Sequence, residues 1–93
     1  MPNDCPSCGQ ALEELVLEIR KMTTKNYLAR NVAAKMEDEL QAAIAEAKKD
    51  TQDLRLILGK LNGAKALIEG VAPASGLLGN FAETISLVRS HMT

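Results

Sequence analysis

Residues 10–22 read Gln-Ala-Leu-Glu-Glu-Leu-Val-Leu-Glu-Ile-Arg-Lys-Met, and their spacing decides the class of fold. Leu12, Leu15, Val16, Ile19 and Met22 recur at helical intervals and make one apolar stripe on a 3.6-residue repeat. Glu13 and Glu14 open the segment while Arg20 and Lys21 close it, the order that complements a helix dipole. The pattern predicts a helix from about Ser7 or Gly9 to Met22. Leu17 falls off the stripe, so it either widens the buried face or meets a partner.

Outward from this segment the same periodicity continues. Thr23-Thr24 is the first break, with Thr24 as a candidate cap whose hydroxyl would accept from the next helix. A second helix is then expected over 25–49, burying Leu28, Val32, Met36, Leu40, Ala43, Ile44 and Ala47. No glycine or proline interrupts residues 10–58, which favours long, straight helices. Asp50-Thr51-Gln52-Asp53 reads two ways. Asp50 as a cap, with Asp53 three positions on, gives a hairpin. Leu40, Ile44, Ala47, Thr51, Leu54, Leu58 and Leu61 instead follow a heptad that would make one long helix and a dimeric coiled-coil-like seam. The hairpin is favoured, because globular helices seldom exceed about 25 residues.

Beyond residue 58 glycines multiply. Asn62-Gly63 is a candidate helix end, or Gly59 and Gly63 share a face that permits close approach. Gly70, followed by Pro73 and Ser75-Gly76, is the clearest stop. A last helix is expected over 77–91, with Leu77, Leu78, Phe81, Ile85 and Val88 inward, Leu87 adjacent, and Ser75 as cap.

The whole is therefore expected to be all-α: a small bundle of three to four antiparallel helices in one domain over 1–93, with 1–9 a cysteine-containing knuckle or tail. Composition agrees. Hydrophobic residues make up 46% of the 93, which argues against disorder, while aromatics are only 2%, Tyr27 and Phe81 alone. A core of Leu, Ile, Val, Met and Ala suits helices better than strands. The net charge of −1 gives no general attraction to nucleic acid. Arg20, Lys21, Lys25, Arg30 and Lys35 do form a run without acidic residues, but no aromatic platform accompanies them for stacking on bases. No secretory leader or apolar run of roughly 20 residues stands out, so no transmembrane segment and a cytoplasmic location are expected.

The one motif that suggests chemistry is Cys5-Pro6-Ser7-Cys8-Gly9. Two thiolates separated by two residues can grip zinc, and proline and glycine shape such a knuckle. The pattern resembles one half of a zinc ribbon, over five residues only, and the second cysteine pair of a ribbon is missing. His91 is the only histidine, so a four-ligand site would need a second copy or a partner. A symmetric dimer would supply Cys5 and Cys8 twice, and structural zinc contributes roughly 10–16 kcal/mol in small peptides. A redox pair at a helix start is a second reading, although the βαβ context of such pairs is missing. Two partly exposed thiols with no ion are the third.

Nothing else resembles an active site: there is no phosphate loop, no histidine pair and no activated nucleophile. Glu13, Glu14 and Glu18 read as a solvated face, and Met22 and Met36 as core. The expected function is thus a non-catalytic helical interaction module, an adaptor, chaperone-like subunit or small inhibitor or regulator. Its partner is another protein or a second copy, met through Leu17, Leu56 and Leu87. A zinc-stapled homodimer is the alternative. A membrane-surface element over 64–88 is weaker, lacking the basic face and aromatic residues such helices carry.

Overall fold

Four helices account for most of the described chain, residues 5–71 and 74–92 of this computed structural model. They are α1 (Cys8–Thr24), α2 (Arg30–Ala47), α3 (Leu54–Ala66) and α4 (Ser75–Ser90). No strand occurs among the described residues. Each helix packs on its neighbours in sequence and α4 returns against α1, which closes a ring. Gly9 faces Ala47, Arg20 meets Glu37 and Lys60 meets Glu39, so α1, α2 and α3 alternate in direction. The α1–α2 and α2–α3 seams are the more closely packed, and α4 sits on sparser ones. The radius of gyration is 12.7 Å, close to the roughly 12.3 Å of a compact chain this long.

The core is aliphatic. Leu12, Ile19, Met36, Leu40, Ile57, Leu61 and Val88 are fully buried, together with Phe81. All five residues of the α1 stripe are buried, and both Met22 and Met36 are core. At full burial each large side chain contributes about 1.5–3 kcal/mol of transfer free energy. In α3 Leu54, Ile57, Leu61 and Ala64 are buried, and Leu58 is only half-buried. The long-helix register placed Leu58 inside; Leu54 and Leu61 keep their inward places, and Ile57 takes that of Leu58.

A turn occurs over 48–53, so α2 and α3 form a hairpin and the single long helix does not form. Asp53, rather than Asp50, caps α3: its Oδ1 accepts from the Leu56 N–H at 3.2 Å. The α1–α2 corner also differs from expectation. Both threonines extend α1, their hydroxyls donating to Ile19 O (2.8 Å) and Arg20 O (2.9 Å). The chain then reverses at Asn26, which takes φ +63°. The Asn26 N–H donates to Thr23 O (3.0 Å) and the Tyr27 N–H to Met22 O (2.9 Å). This is the bond pattern of a Schellman helix ending, with asparagine at the left-handed position usually held by glycine. As a result α2 starts at Arg30, five residues later than its apolar pattern implied.

Asn62 and Gly63 lie inside α3 and do not end it. A Cβ built on Gly63 would stand 2.8 Å from Glu39 Oε2, so the missing side chain gives the α2 carboxylate its room. Gly70 adopts φ +88° and marks the stop that the sequence indicated. Pro73 and residues 1–4 of the expected knuckle lie outside the described residues. Ser75 is the first residue of α4, preceded by Ala74 at the cap position.

Candidate functional site

Two places on this frame combine the residues singled out in the sequence. The first is the end of the bundle where α1 begins. Cys5 and Cys8 form a disulfide with each other, Cα–Cα 5.3 Å, and both residues are fully buried. The third sequence reading expected partly exposed cysteines, and the structure instead buries both. The Cys8 N–H closes the loop onto Cys5 O at 3.2 Å.

Gln52 holds this loop against the α2–α3 turn. Its Oε1 accepts from the Cys5 N–H at 2.7 Å, and its Nε2 donates to Ala47 O (2.6 Å) and Cys5 O (3.3 Å). One side-chain amide thus satisfies a free carbonyl at the end of α2 and both peptide groups of Cys5. Glu46 completes the turn: Oε2 accepts from the Asp53 N–H at 3.0 Å, and Oε1 pairs with Lys49 Nζ at 3.0 Å. The Lys49 ammonium, followed by the Asp53 N–H, lowers the Glu46 pKa below its ordinary 4.5.

A metal would find an incomplete ligand set at this end. Zinc takes thiolates, so it would need the reduced pair, and two sulfurs supply half a tetrahedron. Among the described residues no group of three or more His, Cys, Asp or Glu side chains converges.

The second place is a surface groove of about 470 Å³ between α1 and α4. Helix α1 contributes Glu14, Leu17, Glu18 and Lys21, and α4 contributes Glu83 and Leu87. Leu17 is 55% exposed. Leu87 is half-buried at the opposite wall. The structure therefore brings two of the three interface candidates into one groove, while Leu56, also exposed, stands apart on α3. Lys21 lies 3.8 Å from Glu18, whereas Glu14 and Glu83 have no salt-bridge partner among the described residues. Beside the groove, Leu17 also adjoins Arg20, Lys21 and Lys25, whose aliphatic stems extend the apolar surface.

Sequence reasoning overlooked Tyr27, 51% exposed at the α1–α2 corner. Its place follows from the αL residue before it. Asparagine between two polar helix ends is the only signal that could have indicated this.

No helix among the described residues is long and apolar enough to cross a membrane. No protein-family model matches the chain, and no curated protein or solved structure is significantly similar to it.

Proposed function

We propose that this chain is a helical protein–protein interaction module that acts by surface recognition and not by catalysis. One observation carries the reading: Leu17, exposed and outside the core, lines a common surface groove with Leu87, which is half-buried against the core. A large aliphatic side chain more than half exposed, next to a second one, is the surface pattern that recognition uses. The groove holds carboxylates, a lysine, a threonine and an asparagine, with no histidine or cysteine to act as nucleophile or base. Its walls come from two rigid helices, which suits a preformed docking surface.

The test is site-specific photo-crosslinking in cells. A crosslinking residue at position 17 or 87 is expected to give discrete adducts, and one at exposed Ala45 on α2 is expected to give none. Adducts absent from 17 and 87, or equal at Ala45, overturn the reading.

A further inference from the structure

The outward face of α1 carries more information than an apolar patch, because its charges are ordered. Gln10, Glu14, Leu17, Lys21 and Thr24 are all exposed and recur at alternating steps of four and three, directly opposite the buried stripe of Leu12, Val16 and Ile19. Leu17 is at the centre of this face. Toward the helix start lie Glu13 and Glu14; toward its end lie Arg20 and Lys21. The acidic pair and the basic pair are equally distant from Leu17, on opposite sides.

Such a face is complementary to itself when turned end over end. From it the geometry points to a second copy of this chain as the occupant of the α1 face, docked antiparallel about a twofold axis at Leu17. The inference rests on the interaction-module reading above and names its partner. Across the axis Leu17 meets the partner's Leu17. Glu13 and Glu14 lie over the partner's Arg20 and the partner's Lys21, and the twofold repeats the same pairing on the other side. An isologous interface requires this self-complementarity. A parallel pair would instead stack carboxylate on carboxylate and cation on cation, which is repulsive. The two helix dipoles also oppose each other favourably in the antiparallel arrangement.

Two features temper its strength. Arg20 already pairs with Glu37 at 3.3 Å and Lys21 with Glu18 at 3.8 Å, so the cations are shared and not freed. A single helix crossing with one leucine from each side buries less than the roughly 1,200 Å² of a stable interface. The dimer is accordingly a reversible one, weakened by salt.

The experiment is a charge exchange read by sedimentation equilibrium over a wide concentration range, with helicity checked by circular dichroism. Wild type is expected to move from the 10.0 kDa monomer toward twice that mass as concentration rises. Glu14→Lys and Lys21→Glu should each weaken association about tenfold, since the twofold applies each substitution twice. Leu17→Glu should abolish it. All three positions are exposed, so helicity should be unchanged. An equimolar mixture of the Glu14→Lys and Lys21→Glu chains should associate again, because each then offers the charge that the other lacks. Wild type that remains monomeric, single variants as dimeric as wild type, or a mixture that stays monomeric would overturn the antiparallel pair. If wild type is monomeric while position 17 crosslinks to a protein of another mass, only the self-pairing fails and the module stands.

Discussion

At the end of the bundle where α2 passes to α3, side chains close the helix termini; at the opposite end, between α1 and α2, the backbone does so almost alone. The first end gathers the Cys5–Cys8 disulfide, the Gln52 amide, the Glu46 carboxylate and the Asp53 cap. The second has Asn26 in the left-handed region, three main-chain bonds back to α1 from Lys25, Asn26 and Tyr27, and an exposed tyrosine. The difference teaches where stability is concentrated. Specific polar side chains, each with several partners, lock one end, and the other depends on a single favourable φ.

The largest effect should come from Gln52. Gln52→Ala strands the Cys5 N–H and the Ala47 carbonyl in a partly buried place, and a loss of about 2–3 kcal/mol is expected in urea unfolding. Gln52→Glu should be no rescue, because a carboxylate cannot donate to the Ala47 and Cys5 oxygens. An unchanged midpoint for Gln52→Ala would show that the clasp is decorative and remove the contrast between the ends.

Next is the disulfide. Its loop is short, with a sequence separation of 3, so the chain-entropy relation gives only about 2 kcal/mol. The Cys5→Ala/Cys8→Ala double variant, which introduces no buried hydroxyl, should lose that amount. Added reductant should shift wild type toward the variant and leave the variant itself unmoved.

Asn26 probes the other end. Asn26→Ala places a Cβ-bearing residue at φ +63° without asparagine's local hydrogen bonding, and about 1 kcal/mol should be lost. Asn26→Gly should be neutral or stabilising. Equal effects of the two would mean that the left-handed residue does not set this corner.

The smallest effect is acid-dependent. Because the folded state holds the Glu46 carboxyl below 4.5, its contribution is complete above that pH and fades as pH falls through the depressed value. The stability difference between wild type and Glu46→Gln should therefore be flat at neutral pH and shrink below about pH 4.5. A difference that grows on acidification would reverse the assigned sign.

The two ends were also unequally legible in the sequence. The stripes of α1 and α4 could be read directly, because apolar residues recur every third or fourth position; the structure buries all five in α1 and, in α4, Leu77, Phe81, Ile85 and Val88, with Leu78 half-buried. The α2–α3 turn was ambiguous, since a heptad runs through Leu40 to Leu61; the polar bonds of Glu46, Gln52 and Asp53 decide it, and such pairings span residues that no periodicity links. The α1–α2 corner misled, as Thr23 and Thr24 look like a break but hydrogen-bond backward into α1. Cys5 and Cys8 have a spacing that serves a disulfide as well as a metal knuckle, so the bond between them could not be read from the sequence. The groove could not be foreseen at all: that Leu17 and Leu87 are neighbours depends on α4 closing the ring against α1.

The scarcity of rings has a practical corollary for anyone following this molecule optically. With no tryptophan, and with Tyr27 at the surface while Phe81 lies inside, intrinsic emission is blind to the interior. A tyrosine signal reports the corner at Asn26, and comparing it with far-ultraviolet ellipticity would reveal whether that corner opens before the rest melts.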